Sequence, residues 1–290
     1  MPELSIVMAA RNDNYGGEVY REGPEPAVPT PQKDRMRLSF KTLHEAFRGI
    51  DYEVVFVEWN PVEGKEKISD WDFMQHDRVR IIEVPKGVSN LVLHGHKDFH
   101  EMHAKNVGIR RSKGEMILGT NPDVLWIHRE LFPPKTYKDF VTISWRWTVF
   151  PEILDYSENI YTVVGFCFDS NNRIDHDCNS NGDFTLMHRD VWFSLQGYST
   201  PKNLNLVAGL DMWQVARAER LGIPKRVMRE PIFHIRHPGR PLESGFGVTE
   251  TSDDWGLPQH KFTEYVGGKH VTDISVADSL DIDPVRVGRI

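Results

Sequence analysis

Apolar runs of strand length recur through the first third of the chain. Between them lie stretches whose apolar residues return at helical spacing. LSIVMAA at 4–10 precedes the polar turn RNDNYGG and predicts a buried first strand. Residues 18–33 hold four prolines, a composition that no helix interior tolerates, so a loop is expected there. Met36, Leu38, Leu43 and Phe47 mark a helix over 34–48, with Gly49 as its stop. YEVVFVEW at 52–59 and residues 78–84 read as second and third strands, and residues 90–100 as a polar loop. A central helix is predicted over 98–112. Phe99, Met102 and Ile109 are its apolar marks, Arg110, Arg111 and Lys113 suit the negative end of its dipole, and Gly114 stands at a C-cap position. EMILGTN at 115–121 then forms a short buried strand, which Pro122 ends because it cannot donate to a ladder.

Further on, VTISWRW at 141–147 alternates like a strand, with Trp145 and Trp147 on one face. A strand is expected at 161–168, a polar loop at 169–182, a short helix after Asp190, a longer one over 209–222, and a last strand over 225–235. Residues from 243 onward read as loop. This alternation of strands and helices predicts an α/β fold with a mostly parallel central sheet flanked by helices. Open sheets of that kind bind ligands at the carboxyl ends of their strands, which is where Asp123 falls.

Composition narrows the class. The 290 residues are 39% hydrophobic and 27% charged, enough apolar material for a real core. A net charge of −7 offers no basic field for nucleic acid. No apolar run approaches the roughly 20 residues that span a bilayer. The amino terminus lacks the basic region of a secretory signal. Cys167 and Cys178 cannot make a disulfide framework, so a soluble protein of the reducing cytoplasm is expected, with peripheral membrane association compatible.

The residues around Asp123 carry a resemblance. Lys105-Asn106 followed by Gly108, then Lys113-Gly114-Glu115, then an apolar strand ending Asn121-Pro122-Asp123, resembles the centre of inverting family 2 glycosyltransferases. Asn-Pro-Asp in place of D-x-D is similar to the rhamnosyltransferase-like branch. The resemblance implies a GT-A-like nucleotide-diphospho-sugar transferase fold over 1–240, with a nucleotide-sugar half at 1–123 and an acceptor half at 124–240. Residues 241–290 would be a C-terminal extension packed on or near the active site. It implies a nucleotide-diphosphate sugar as donor and a glycan or other hydroxyl compound as acceptor, a hexose or pentose being moved. Ala10, Arg11, Asp13, Glu58, Lys105, Asn106, Asn121 and Asp123 would face the donor, and Asp183 and Trp213 the acceptor. Asp123, with His234 or His237, would hold Mn²⁺ or Mg²⁺, and Arg236 or Arg240 would balance the diphosphate. Asp211 matches the family's general base, although Gly209 and Leu210 stand where its acidic partner belongs. An inverting transfer needs one carboxylate to take the acceptor's proton. An oligomer is compatible with all of this.

Two rivals come from the same sequence. His94, His96, Asp98 and His100 lie in the spacing of a zinc hydrolase, with Phe99 interrupting it; the helical alternative makes His96, His100 and His103 a stripe on one face. The altered acidic pairs also suit a module that binds nucleotide sugars or glycans without turnover.

Overall fold

The computed structural model describes residues 1–14, 31–94, 98–127, 137–149, 176–177, 182–201, 210–228, 231–235, 237, 249–250 and 254–271. Most of the proline-rich loop, the strand expected at 161–168, both cysteines, His96, Arg236 and Arg240 lie outside the described residues.

The strands are β1 (Leu4–Ala10), β2 (Tyr52–Trp59), β3 (Val79–Val84), β4 (Met116–Thr120), β5 (Val124–Leu125), β6 (Val141–Ile143), β7 (Arg146–Val149), β8 (His176–Asp177), β9 (Phe184–His188), β10 (Thr200–Pro201), β11 (Lys225–Val227), β12 (Ile232–Ile235), β13 (Thr249–Glu250), β14 (Thr263–Val266) and β15 (Lys269–Val271). The helices are α1 (Gln32–Ala46), α2 (Lys86–Leu93), α3 (Glu101–Arg111), α4 (Arg189–Ser194) and α5 (Leu210–Arg220).

Nine strands form one sheet in the order β11, β6, β9, β4, β1, β2, β3, β14, β15. Its centre, β4-β1-β2-β3, is parallel. The parallel part is narrower than the sequence suggests, because β9 enters antiparallel between β4 and β6, and β14 pairs antiparallel with β3. β1 is buried at every position, as a central strand covered on both faces must be. Its alternate residues divide two cores. Leu4, Ile6 and Met8 pack with Phe40 and Leu43 of α1 and its C-cap Phe47, while Val7 and Ala9 pack with Val107 and Ile109 of α3.

Glycine fixes how closely α3 approaches. A Cβ on Gly108 would lie 2.6 Å from Val7 Cγ1, and one on Gly114 would lie 2.4 Å from the Ser5 backbone nitrogen. Gly114 therefore serves a close approach to β1. The C-cap itself is Ser112, in extended conformation.

Further elements differ from the sequence-based expectation. Part of the expected 90–100 loop is α2. The alternating stretch 141–147 divides at Ser144-Trp145, with β6 in the large sheet and β7 in a second sheet ordered β5-β12-β7-β8. The expected strand 225–235 divides in the same way, β11 going to the large sheet and β12 to the small one. Pro231, which cannot donate to a ladder, lies at that break.

In the C-terminal extension, Arg110 and Arg111 donate to the carbonyls of Trp255, Gly256, Leu257 and His260. These contacts sit at the end of α3, beside the start of β1, and so on the opposite edge of the sheet from Ala10 and Asp123. β14 and β15 then lengthen the sheet beyond β3, where the sequence suggested only loop. Among the described residues, no helix is long and apolar enough to cross a membrane.

Candidate active site

The chain runs β1, β2, β3 in one direction across the sheet and then places β4 on the other side of β1. At such a reversal the loops after the two strands separate and open a crevice at their carboxyl ends. The loop after β4 is Asn121-Pro122-Asp123.

Asp123 is 7% exposed and stands among three cationic or imidazole groups. His237 Nε2 is 3.0 Å from its Oδ2, His234 Nε2 is 3.6 Å from its Oδ1, and Arg35 Nε is 3.6 Å from its Oδ2. The backbone brings them together. β5, directly after Asp123, pairs antiparallel with β12, so that Val124 faces His234, and the Ile235 N–H donates to the Asp123 carbonyl at 3.1 Å.

From the other side, α1 lays a polar stripe along the same segment, at positions 35, 39 and 42 of one helix face. Besides Arg35 on Asp123, Ser39 Oγ donates to the Val124 carbonyl at 2.6 Å and Thr42 Oγ1 accepts from the Trp126 N–H at 3.1 Å.

One ligand atom each from Asp123, His234 and His237 lie within 4.8 Å of one another. Burial opposes ionisation of Asp123, yet His234, His237 and Arg35 outweigh it and hold the carboxyl well below the usual carboxylate range. Burial also lowers His234 below the ordinary histidine value, against the pull of Asp123. Among the described residues His234 Nδ1 is buried without a hydrogen-bond partner. An ionised carboxylate and a neutral imidazole are the forms in which such groups bind a cation, so the donor set fits a divalent metal ion.

A second group adjoins the first. Arg146, at the start of β7, pairs with Asp183 Oδ2 at 2.7 Å, and Asn121 Nδ2 donates to Asp183 Oδ1 at 2.5 Å. Lys105 is fully buried and donates to Glu101 Oε1 at 2.5 Å, Asn121 Oδ1 at 2.7 Å and the Gly182 carbonyl at 2.9 Å. Burial works against the charge on Lys105, and Glu101 beside it more than compensates. The Asp183 charge raises the pKa of both His234 and Asp211.

Asp211, in the first turn of α5, packs against Gly182; a Cβ there would sit 3.1 Å from its Oδ2. Burial raises its pKa above the ordinary carboxylate value, and Glu101 and Asp183 add to the rise against its backbone N–H contacts. Glu101 pairs with Lys105, Asp183 with Arg146 and Asp123 with Arg35. Asp211 alone of the four has no cationic partner among the described residues.

The other expected donor contacts fall differently. Ala10 is buried at the end of β1. Arg11 donates from Nε to the Asn60 carbonyl at 2.8 Å and lies 3.5 Å from Asp13 and 3.3 Å from Asp98, so two carboxylates already face it at the crevice. Glu58 has no exposed surface. Its carboxylate accepts from the backbone N–H groups of Ile68 at 2.8 Å and Ser69 at 3.3 Å, which holds a loop in place, and none of its surface is open to a base or ribose. Asn106 is buried and exchanges two hydrogen bonds with the Tyr198 backbone, at 2.8 and 2.7 Å. Lys105, Asn106 and Glu58 are therefore built into the framework beneath the crevice. Trp213 is half-buried on α5, with the Arg220 guanidinium 5.7 Å from its ring.

The described members of the histidine-rich stretch do not form a ligand group. His94 caps α2 in left-handed conformation, Asp98 faces Arg11, and His100 Nδ1 lies 3.1 Å from His103 Nδ1. Arg35, Arg146 and Glu101 were not apparent as site residues from the sequence. The one readable signal was the polar stripe of Arg35, Ser39 and Thr42 in a helix whose other face is apolar.

No protein-family model and no curated protein sequence matches the chain. Solved structures of low identity align with it. A mannosyltransferase from Pyrobaculum calidifontis, in complex with GDP-Man and Mn²⁺, aligns at 15% identity and a TM-score of 0.46, over 83% of this chain and 59% of that one. A mycobacterial protein aligns at 12% identity and a TM-score of 0.40, over 83% and 69%. Glucosyl-3-phosphoglycerate synthase from Mycobacterium tuberculosis, with phosphoglyceric acid, aligns at 9% identity and a TM-score of 0.39, over 83% and 74%. The chain thus spans 59% of the length of the first of these.

Proposed function

We propose that the protein is a GT-A-like glycosyltransferase of the inverting family 2 type, which moves a sugar from a nucleotide-diphosphate donor to a hydroxyl acceptor. The observation that carries this reading is the meeting of two chemistries at one sheet edge. Asp123, His234 and His237 form a cation-binding set, and Asp211, against Gly182 next to Asp183, has no cationic partner among the described residues. The motifs around Lys105, Gly114 and Asp123 support it from the sequence side.

Asp123, His234 and His237 would hold the ion. Two imidazoles beside one carboxylate suit Mn²⁺ better than Mg²⁺, which demands oxygen ligands. When bound, the ion neutralises charge developing on a leaving diphosphate. Asp211 takes the proton from the acceptor hydroxyl as that oxygen attacks the anomeric carbon. Its raised pKa makes it a stronger base than an ordinary carboxylate. Asp183, buried and held by Arg146 and Asn121, would shape the acceptor side from beneath, and Trp213 offers a half-exposed ring on the same helix as the base. Asn121, oriented by Lys105, positions Asp183.

Thermal stability against nucleoside diphosphates and nucleotide sugars, with and without Mn²⁺, tests the reading. A ligand at about 100 times its dissociation constant adds roughly 2.7 kcal/mol. A shift with one nucleotide sugar that requires Mn²⁺ and is lost in Asp123→Ala is the expected result. NMR of the product's anomeric configuration then tests inversion. No shift with any nucleotide would sink the proposal.

A further inference from the structure

We propose that Glu101 holds the acceptor, and that the part of the acceptor bound there is an uncharged polyol. This rests on the functional reading above and adds a residue that it does not use. α3 ends beside the start of β1, so its first turn, where Glu101 stands, lies at the crevice edge of the sheet. One carboxylate oxygen is committed there: Glu101 Oε1 accepts from the Lys105 ammonium at 2.5 Å. The same buried ammonium donates to Asn121 of the loop after β4 and to the carbonyl of Gly182, against which Asp211 packs. Lys105 thus fixes Glu101 on the base's side of the crevice.

The other oxygen of Glu101 makes no hydrogen bond among the described residues, in a side chain that is 26% exposed. An ionised carboxylate can only accept, so a hydroxyl is a suitable ligand for it. Asp211 takes the proton of one acceptor hydroxyl. A second hydroxyl of the same molecule, held by Glu101, fixes how the first is presented to the base. Charge sets the rest of the specificity. The field of Glu101 reaches Asp211 and raises its pKa, so an acceptor bearing its own carboxylate beside the attacked hydroxyl would meet two like charges. Glu101 orients the acceptor and takes no proton itself.

The test uses the nucleotide sugar that stabilises wild type, with Mn²⁺, and pairs of acceptors that differ only in charge: the methyl glycosides of glucose, galactose and mannose, and those of the matching uronic acids. Product is followed by mass spectrometry for wild type, Glu101→Gln and Glu101→Asp. Glutamine keeps the shape and removes the charge; aspartate keeps the charge with a shorter reach. Wild type should favour a neutral glycoside over its uronic acid by at least about tenfold in kcat/KM. Glu101→Gln should raise KM for that glycoside more than it lowers kcat, and bring the ratio of neutral to acidic acceptor toward one. Glu101→Asp should keep the preference for the neutral acceptor. The inference is overturned if wild type uses no neutral glycoside, or uses a uronic acid equally well. It is also overturned if Glu101→Gln loses stability while KM and the ratio stay as in wild type, since Glu101 would then serve only Lys105. If no nucleotide sugar stabilises wild type, the functional reading itself fails, and the inference with it. Wild type alone decides the first and last of these outcomes even if a variant does not fold.

Discussion

Asn121 donates a 2.5 Å hydrogen bond to Asp183, while its carbonyl oxygen accepts from Lys105 at 2.7 Å. An amide is the group that can do both, and an ionised carboxylate can only accept. Asn121→Asp, which would restore a D-x-D sequence, places two carboxylates against each other. Loss of a buried hydrogen bond of this kind costs about 1–3 kcal/mol. Urea unfolding should show a loss in that range, and Mn²⁺ affinity should not rise. A stable variant that binds Mn²⁺ more tightly would show that position 121 is a ligand position after all.

Lys105 is fully buried and its charge is matched by Glu101. Lys105→Met leaves Glu101 and the Gly182 carbonyl without their donor. Breaking one side of a buried pair costs about 3–5 kcal/mol. Chemical denaturation measures it. Nucleotide affinity unchanged in the folded fraction would agree with a framework role, whereas a large loss of affinity at nearly full stability would return Lys105 to the donor site.

Asp211→Asn should keep donor binding and lower turnover by about 10²–10⁴-fold, the usual contribution of a general base. The pH profile gives a second readout. A base must be ionised to act, so the wild-type rate falls as pH drops through the Asp211 pKa. That pKa is raised by burial, so the fall begins above the ordinary carboxylate range. A rate that stays flat across the acid range, or an active Asp211→Asn, would remove Asp211 from this role.

Glu58 gives a pH dependence of stability, independent of the active site. Burial pushes its pKa up to about 7, against the backbone N–H groups of Ile68 and Ser69. The folded form holds this proton more tightly than the unfolded chain, whose value is 4.5. The group's contribution is therefore most favourable below about 4.5 and is lost as pH rises to about 7, of the order of 3 kcal/mol in all. Glu58→Gln should flatten that part of the stability curve measured by urea unfolding from pH 4.5 to 7.5. An unchanged slope would mean that Glu58 does not titrate in the window.

The central strands and α3 were legible because each is a run whose periodicity matches its burial, and because Gly49 and Pro122 punctuate them. Asp123 and both histidines were legible through motif and position. What joins them was not: Val124 facing His234 depends on a small sheet formed by strands far apart in the chain. The strands expected at 141–147 and 225–235 each span a change of sheet that strand-like patterning does not reveal, with only Pro231 to mark one break. Lys105, Asn106 and Glu58 were expected at the donor because motifs report position along the chain, whereas burial decides what a side chain can touch. α2 was missed because KGVSNLVL follows Pro85 without a capping side chain.

The stripe on α1 fixes the angular phase of that helix. Phe40, Leu43 and Phe47 set it from the core, and Arg35, Ser39 and Thr42 report it to residues 123–126. Successive helical residues turn by about 100°, so the two faces rotate as one body. Packing beneath α1 therefore sets where Arg35 stands against Asp123, and a core substitution that turns the helix is expected to change the electrostatics of the crevice.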